Sequence, residues 1–411
     1  MPDVPTLPPC TAGDWDNARR RRRLRDTRTG HSWHQASEAT GIVRFGRTRR
    51  FLARTAIATV PFVALYTQYW HFDVAPMREQ LAETQPRIHQ VYDAQGADNR
   101  DTAVVEGDNR TAVVDLVGLG NLDATNTARA LPALSRLGDV WAVEYDNSGL
   151  DTAVVSRLVA ARAETLGIDS VILTGHSMGG IIALEVAEHL YQDTSLEVLG
   201  VILDCTPIDL HAVRADSRDA GEELLRWIGW IPGARESRIM RMAIEIAARQ
   251  DRFVLPSDRW YRRIDGSEFI DVVEEVLKDK ILSTDAASNG LIESQFRAIV
   301  ASGASDSLRA LAAEQDDKVR PAIVFVRPRH ALNDHVVDVE YTQQALVEHS
   351  GGVDGTLLVA KIDHTGHANP IQAPEAYNNA ITDRVAPFID LRPGENLDDD
   401  GDSTTGPSIG P

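Results

Sequence analysis

A serine set between glycines is the feature of this chain that most directly points to chemistry. The segment 171–190 reads VILTGHSMGGIIALEVAEHL, in which an apolar, β-branched run meets Gly175, Ser177 and two further glycines before a helical pattern begins. A hydroxyl is a weak nucleophile, which needs exposure, a base and a group that binds an oxyanion. A sharp turn from strand to helix would lift the Ser177 hydroxyl above a sheet, and glycines would leave room in so tight a turn. The backbone N–H of Met178, at the start of the helix, would then point to the place where an oxyanion forms.

The sequence GHSMGG, placed between a strand and a helix, closely resembles the nucleophile elbow of the α/β-hydrolase fold family. The resemblance covers about residues 100 to 390. It implies that Ser177 is the nucleophile of a Ser-His-Asp triad, with the acid and then the histidine further along the chain. It also implies a second oxyanion donor in the loop after the strand AVVDL. There Val117 and Gly118 replace the His-Gly pair common in the family, so that the Leu119 amide is the candidate donor.

His367 is the base that the resemblance implies. Gly366 and His367 follow the last predicted strand, as a Gly-His pair does in the family, and Pro374 opens the last helix a few residues later. His364 lacks the preceding glycine, and we expect it to be a loop residue near the site.

The acid is expected on the loop after the penultimate strand. Asp334 stands there before His335 and two valines, which loosely matches the family's Asp followed by two apolar residues. This loop is longer than usual, and Arg327 occupies a place where glycine is common. Asp338 is the alternative in the same loop, and Asp204, in VILDCTP, occupies another position that the family uses. The acid would fix the tautomer of the histidine and stabilise the imidazolium.

Strand and helix patterns alternate through the body of the chain. β-rich runs at 139–147, 170–175, 196–207, 321–328 and 355–363 are separated by segments with helical spacing, such as DTAVVSRLVAARAETLGI. This alternation predicts an α/β protein with a mainly parallel sheet and helices on both faces, which is the α/β-hydrolase fold. Residues 208–320 are mostly helical in pattern and stand where the family inserts a cap. We therefore expect a helical cap insertion there.

The sequence predicts five parts in chain order. Residues 1–50 are read as a disordered basic leader and 51–75 as a candidate membrane anchor helix. The hydrolase core comprises 87–207 and 321–391, the cap insertion comprises 208–320, and 392–411 form a disordered acidic tail.

The segment after the leader has the features of a membrane anchor. Between Asn17 and Arg54 there are twelve arginines against two acidic residues, and the run from Thr55 to Phe72 contains no Asp, Glu, Lys or Arg. As a helix, this run would span about 27 Å, slightly less than the ~30 Å hydrocarbon core. The flanking charges favour an uncleaved anchor with the catalytic body outside the cytoplasm. The alternative is a cytoplasmic protein whose leader helix packs on the body.

Composition argues against several other classes of function. The net charge of −19 and the acidic body disfavour a nucleic-acid partner. The two cysteines, Cys10 and Cys205, are too few for a disulfide framework, and Cys205 is expected to be a buried, inert thiol. No CxxC or HExxH motif suggests a metal, and GLG at 118–120 is too short for a dinucleotide or P-loop fingerprint. We therefore expect neither a metal nor a cofactor.

The expected function is that of a serine hydrolase acting on a carboxylic ester or thioester. The substrate would be a small acyl compound, and an apolar helical cap would suit a lipophilic one. Amidase, peptidase or acyltransferase chemistry would use the same triad. A non-catalytic binding protein of this fold is the alternative from another class, although the order Ser, Asp, His along the chain argues against it. A serine nucleophile also argues against epoxide hydrolases and dehalogenases, which use aspartate.

Overall fold

A computed structural model describes residues 40–94, 110–255, 263–283, 286–313, 315, 318–350 and 356–391. The chain divides into two compact units, 1–69 and 70–411. The first contains helix α1, Thr40–Tyr69, which begins within the residues 1–50 that we expected to be mostly disordered. The rest of that expected leader and the expected acidic tail at 392–411 lie outside the described residues.

The second unit is built on a seven-stranded, mainly parallel sheet. Its seven strands are β1 Arg87–Tyr92, β2 Thr111–Leu116, β3 Asp139–Glu144, β4 Ser170–His176, β5 Glu197–Asp204, β8 Ala322–Pro328 and β9 Leu357–Ile362, and the unit also contains the short strands β6 Val254–Leu255 and β7 Arg263–Ile264. The sheet has the order β1-β3-β2-β4-β5-β8-β9, and its neighbours are parallel except for the antiparallel pair β1 and β3. Strands β6 and β7 form a separate antiparallel pair.

Helices cover both faces of this sheet, and the predicted fold class is confirmed. The helices of the second unit are α2 Ala75–Ala82, α3 Thr125–Ala130, α4 Thr152–Leu166, α5 Met178–Asp193, α6 Ala215–Trp230, α7 Arg238–Ala248, α8 Gln250–Phe253, α9 Gly266–Val276, α10 Asn289–Val300, α11 Ala304–Ala312, α12 Val339–His349, α13 Pro374–Ala380 and α14 Ala386–Asp390.

The central strands β2, β4 and β5 position the edge of the sheet where the candidate nucleophile lies. They are buried along almost their whole length, which explains why their sequences run through Val, Ile, Leu and Ala without polar alternation. β4 lies between β2 and β5, with Gly175 beside Leu116 and Leu203. Ser177 directly follows β4 and therefore stands at the carboxyl edge of the sheet, where open α/β sheets bind ligands.

The segment between β5 and β8, which we expected to form one helical cap, is divided between two cores. Apolar side chains of α10 and α11, among them Phe296 and Leu308, belong to the main core beside the sheet. Phe253, Val272 and Val276 form a small separate core in the part built from α7, α8 and α9. Among the described residues of this segment, only the second part has apolar packing of its own, whereas α10 and α11 pack on α5 as part of the main body.

The expected membrane anchor from Thr55 to Phe72 is wrong as a spanning segment. Within the described ranges, the chain has no helix with the length and apolar character to cross a membrane. At Tyr69 helix α1 passes directly into a π-helical turn, Trp70–Val74, and the uncharged part of α1 contains polar residues such as Thr59, Thr67 and Gln68, which lower its apolar character. The end of the apolar run belongs to the second unit, in which Asp73 and Val74, directly after it, are buried. The extracytoplasmic location that we expected from an anchor therefore loses its basis.

Candidate active site

Ser177 occupies the corner between β4 and α5. β4 ends at His176, α5 begins at Met178, and Ser177 has a φ of 54° and a ψ of −124°, which L residues rarely adopt. Such a backbone persists only where its surroundings hold it, and strained residues of this kind cluster at functional sites. The Ser177 N–H donates to the Asp204 carbonyl at 2.7 Å, and the Ser177 carbonyl accepts from the Gly180 N–H at 3.0 Å. Hydrogen bonds therefore fix both the N–H and the carbonyl of Ser177.

The glycines around Ser177 are required by close backbone packing. A Cβ on Gly175 would overlap the carbonyl of Gly179, and a Cβ on Gly179 would overlap the carbonyl of Leu116. Gly180 lies against Thr206 so closely that a Cβ there would overlap the threonine hydroxyl. Each glycine thus allows the start of α5 to approach a different neighbouring segment.

Three side chains from distant parts of the chain meet at this corner. His367 Nε2 lies 2.8 Å from Ser177 Oγ, and His367 Nδ1 lies 2.9 Å from Asp334 Oδ2. The Asp334 side chain is fully buried, and the His367 side chain is 20% exposed. Both separations are hydrogen-bond distances. A proton on Nδ1 can therefore be held by the carboxylate, which leaves Nε2 able to accept the proton of the serine.

Asp334 is fixed by the loop that follows β8. Its Oδ1 accepts the N–H groups of Val336 at 2.9 Å and Val337 at 2.7 Å. Burial alone would raise the pKa of Asp334, but the hydrogen bonds from His367 and from these two amides outweigh burial and hold the pKa below its ordinary value. The carboxylate is therefore charged at neutral pH and can orient the imidazole of His367.

The other candidates for acid and base lie elsewhere. Asp338 accepts the N–H groups at the start of α12 and acts as its N-cap. The carboxylate of Asp204 binds His176, with 2.8 Å between its Oδ2 and His176 Nδ1. His364 is exposed, with a φ of 58°. Of the residues that the sequence left open, the structure brings Asp334 and His367 to Ser177.

The loop after β2 lies against the same corner. A Cβ on Gly118 would be 3.1 Å from the Cβ of Ser177, so loop and serine are in contact. Within the described part of the chain, the N–H of Leu119 has no hydrogen-bond partner. Met178 is the first residue of α5, where backbone N–H groups have no acceptor within the helix. Both expected oxyanion donors are therefore amides available to a substrate oxygen.

Gln295 holds this loop in place, although sequence reasoning did not single it out. Its Oε1 accepts the Gly120 N–H at 2.9 Å, and its Nε2 donates to the Asn121 carbonyl at 2.9 Å. The Tyr145 hydroxyl donates to the Val117 carbonyl at 3.0 Å. Gln295 is fully buried on α10. Part of the segment expected to be a cap thus supports the loop beside Ser177.

A buried charged cluster of Asp115, His176 and Asp204 lies behind the corner. His176 Nε2 lies 3.0 Å from Asp115 Oδ1, and its Nδ1 lies 2.8 Å from Asp204 Oδ2, with all three side chains at most 6% exposed. Burial alone would lower the pKa of His176, but the two carboxylates outweigh it and raise the pKa to about 10. Burial also raises the pKa of Asp115. His176 is therefore a cation at neutral pH, in a cluster that sequence reasoning missed.

Cys205 lies next to Asp334 and His367. One potential metal-ligating atom from each of these three side chains lies within 4.8 Å of the others. The Cys205 thiol is fully buried, and burial followed by the charges of Asp204 and Asp334 raises its pKa well above the ordinary value. Because metals bind the thiolate and the histidine already binds the aspartate, these residues do not fit a resident metal ion.

A cavity of about 500 Å³ opens in front of Ser177 and His367. Much of its lining is apolar and comes from the loops after β5 and β8 and from α10: Pro207, Val213, Phe296, Ile299, Val336 and Val337. Its polar lining includes Asn121, Asp123, Asn126 and Gln372. The arrangement can present an activated hydroxyl to a small molecule held beside two free amides.

Comparison with known proteins places the chain in a family. A model of the alpha/beta hydrolase family matches residues 70–380, and no curated protein matches the chain. Similar solved structures include a hydrolase from Oleispira antarctica, at 13% identity over 76% of this chain and 97% of the other, with a TM-score of 0.44. A monoacylglycerol lipase from Paleococcus ferrophilus is 14% identical over 75% and 99%, with a TM-score of 0.43. A proline iminopeptidase from Mycobacterium smegmatis is 13% identical over 74% and 95%, with a TM-score of 0.39.

These likenesses say nothing about the substrate of this chain. Because the family model covers the sheet, the corner at Ser177 and the loop of His367, this chain belongs to the alpha/beta hydrolase family.

Proposed function

We propose that this chain is a serine hydrolase that cleaves a carboxylic ester or thioester through an acyl-enzyme intermediate. The observation that carries the proposal is the pair of short distances at His367, 2.8 Å from Nε2 to Ser177 Oγ and 2.9 Å from Nδ1 to Asp334 Oδ2. A nucleophile, a base and an orienting carboxylate in this order form the arrangement that activates a serine hydroxyl.

In the first step, the Ser177 hydroxyl attacks the acyl carbon while His367 Nε2 takes its proton. The carboxylate of Asp334, with its lowered pKa, stays charged and stabilises the imidazolium without taking the proton itself. The carbonyl oxygen of the substrate becomes an oxyanion, which the amides of Met178 and Leu119 would bind. Removing a single donor of this kind costs about 10²- to 10³-fold in kcat in other serine hydrolases.

In the second step, the intermediate expels an alcohol or thiol, which takes the proton from His367 and leaves the acyl group on Ser177. A water molecule then attacks the acyl carbon in the same way, and His367 takes a proton from this water. Ser177 leaves with that proton, and the carboxylic acid is released. The reaction consumes one water and requires no cofactor.

The cavity supports a small substrate with an apolar acyl group. Its volume of about 500 Å³ falls within the ~300–1,000 Å³ typical of ligand sites. Burying each CH₂ group contributes about 0.8 kcal/mol, so that longer acyl chains should bind more tightly until the apolar part of the cavity is full.

The charges that line the cavity should favour some leaving groups of the ester over others. Of the described residues that line the cavity, none is Lys or Arg, the cationic His176 is paired with Asp115 and Asp204, and Asp123 contributes a carboxylate. Asp123 Oδ1 accepts the N–H and hydroxyl of Thr125 at 2.8 and 2.7 Å, while no described residue hydrogen-bonds to Oδ2. Esters with neutral or cationic leaving groups are therefore the better substrates in this proposal, and anionic ones the poorer.

A fluorophosphonate probe tests the proposal, because it reacts only with an activated serine. The purified wild-type chain should be labelled, and Ser177→Ala should not. Ser217→Ala is the matched control, since Ser217 lines the same cavity but is not among the described hydrogen-bond partners of His367, and it should be labelled like the wild type. p-Nitrophenyl esters of graded acyl length would then measure the range of acyl chains.

Two outcomes would overturn the proposal. A folded wild-type chain that neither reacts with the probe nor hydrolyses any ester of the series would be a non-catalytic member of the family. Undiminished turnover by Ser177→Ala would show that another group performs the reaction.

A further inference from the structure

We propose that Tyr377 is a positioning residue for the hydrolase reaction, because its hydroxyl ties the carboxyl end of β5, beside Ser177, to the loop that carries His367. The inference rests on the proposed function, since it concerns the alignment of Ser177 and His367. Tyr377 lies on α13 and is 3% exposed.

The hydroxyl of Tyr377 connects two segments that are far apart in sequence. It donates to Asp204 Oδ1 at 3.0 Å and accepts the Asn369 N–H at 3.2 Å. Burial, and then the charge of Asp204, raise the pKa of Tyr377, so that the phenol keeps its proton. The same oxygen therefore serves as donor on one side and acceptor on the other.

On the β5 side, Asp204 contacts the corner directly. Its backbone carbonyl accepts the Ser177 N–H at 2.7 Å, and its Oδ2 lies 2.8 Å from His176 Nδ1. Any shift of Asp204 is therefore passed to the backbone that sets the direction of the Ser177 side chain.

On the other side, Asn369 closes the loop around His367. Its side-chain Oδ1 accepts the Gly366 N–H at 3.0 Å, so that the residues on either side of His367 and Ala368 are joined. Ala368 has a φ of 38°, in the left-handed region that a residue other than glycine adopts only where its surroundings impose it. Tyr377 anchors this closed loop by holding the backbone of Asn369.

Loss of the hydroxyl should loosen the loop without altering the cavity. General-base catalysis needs a donor–acceptor distance of about 2.6–3.2 Å, and a displacement of about 1 Å costs about 10²-fold in rate. In Tyr377→Phe the ring still fills its place, but the Asn369 N–H and Asp204 Oδ1 both lose this partner. We expect kcat to fall by about 10- to 100-fold, while KM stays within about twofold because Tyr377 does not line the cavity.

The matched control is Tyr191→Phe, which removes another buried tyrosine hydroxyl. Tyr191 is fully buried near the end of α5, about 20 Å along the helix from Met178, and its hydroxyl donates to the Ala313 carbonyl at 3.2 Å. Tyr191→Phe should change Tm by an amount similar to that of Tyr377→Phe and leave kcat unchanged. The split between kcat and KM, together with the rate of fluorophosphonate labelling, separates alignment from stability.

Asn369→Ala provides a second variant that tests the same loop. It should also lower kcat by about tenfold, and the double variant with Tyr377→Phe should cost little more than the worse single variant, because both act on one loop. Should Tyr377→Phe be unfolded at the assay temperature, it and the wild type are compared at a lower temperature at which both are folded, and full activity of Tyr377→Phe there would overturn the inference.

The results that would refute the role of Tyr377 differ from those that would refute the proposed hydrolase function. Labelling and kcat of Tyr377→Phe within twofold of the wild type would refute the positioning role while the hydrolase proposal stands. The same holds if Tyr191→Phe lowers kcat as much as Tyr377→Phe does. A wild-type chain that the probe does not label overturns the proposed function and this inference with it.

Discussion

Replacing Asp334 with asparagine should remove most of the activity, whereas the same change at Asp204 should mainly destabilise the fold. The two carboxylates stand in nearly the same relation to an imidazole, with 2.9 Å between Asp334 Oδ2 and His367 Nδ1 and 2.8 Å between Asp204 Oδ2 and His176 Nδ1. Asparagine keeps the shape of the side chain and removes its charge. The pair of variants therefore separates chemistry from stability.

The expected loss in Asp334→Asn follows from the tautomer of His367. An amide N–H that faces Nδ1 favours the imidazole with its proton on Nε2, which then cannot accept the proton of Ser177. The same change in the triad of the serine proteases lowers kcat by about 10⁴-fold, which corresponds to about 5.5 kcal/mol. The carbonyl of the new asparagine can still accept the N–H groups of Val336 and Val337, so the free energy of unfolding should fall by only about 1–2 kcal/mol.

The expected loss in Asp204→Asn is one of stability. His176 is a cation in the folded protein, and removing one partner of a buried ion pair costs about 3–5 kcal/mol. The cost should lie at the lower end of this range, because Asp115 remains 3.0 Å from His176 Nε2. The kcat should fall by at most about 10²-fold, since Ser177 and His367 keep their own hydrogen bond.

Urea unfolding and steady-state hydrolysis of a p-nitrophenyl ester measure both quantities on the same preparations. Asp338→Asn is the control for the third candidate acid, and because Asp338 only caps α12 and asparagine is an equally good N-cap, it should leave both stability and activity nearly unchanged. A larger loss of kcat in Asp204→Asn than in Asp334→Asn, or equal losses in both, would refute the assignment of the acid.

Three further outcomes follow from the same geometry. His367→Ala should lower kcat by about 10³-fold or more, whereas the exposed His364 can be replaced by alanine at little cost, and the reverse ranking in an esterase assay would show that the base is misassigned. Gly175→Ala should prevent folding of the corner, because the new Cβ overlaps the Gly179 carbonyl, and a cooperative thermal transition with unchanged Tm would contradict this. His176 has a pKa of about 10 in the folded state against 6.5 unfolded, so its stabilisation is complete below pH 6.5 and is lost as the pH rises towards 10. Between these values stability should fall by up to about 1.4 kcal/mol per pH unit, and His176→Gln should flatten the fall of Tm from pH 7 to 9.5, whereas parallel curves would speak against a buried cation.

The corner at Ser177 could be recognised from the sequence because its requirements are local. The close approach of Gly175 to Gly179 lies within a few residues of the serine, and the apolar runs on either side belong to one strand and one helix. Gly179 and Gly180 additionally make room for Leu116 and Thr206, which the fold brings to the corner. The parallel sheet was predictable for a similar reason, since alternating strand and helix patterns follow from which faces must be buried. Sequence periodicity reports this kind of local steric and hydrophobic constraint.

The choice among the three candidate acids could not be made without the tertiary structure. Asp334, Asp338 and Asp204 are all aspartates close to the end of a predicted strand, and the sequence left all three open. The loop after β8 turns Asp334 towards His367, while Asp338 caps α12 and Asp204 binds His176. The three carboxylates thus have three different partners, and the fold decides which donor lies nearest to each.

The membrane anchor was misjudged because a run without charged residues is not necessarily apolar enough to cross a membrane. The run from Thr55 to Phe72 contains polar residues such as Thr67, Gln68 and His71, and it crosses the boundary between the two units. The helical pattern at 208–320 likewise did not show that this segment has two parts. Helices α10 and α11 complete the main core, and the other part has a small core of its own. Hydrophobic patterning says that a face is buried, and only the fold says against what.

By itself, the sequence determined the alternation of helices with strands β3, β4, β5, β8 and β9, the corner that presents Ser177 and, through the family resemblance, His367 as its expected partner. Only the tertiary structure showed which aspartate lies against that histidine, and that Gln295 supports the loop beside the serine. The link from Tyr377 to Asp204 joins residues 173 positions apart, and no local pattern marks either residue for the other. The physical reason is that a buried polar atom must find a partner, and folding supplies that partner from whichever segment it brings within hydrogen-bonding distance.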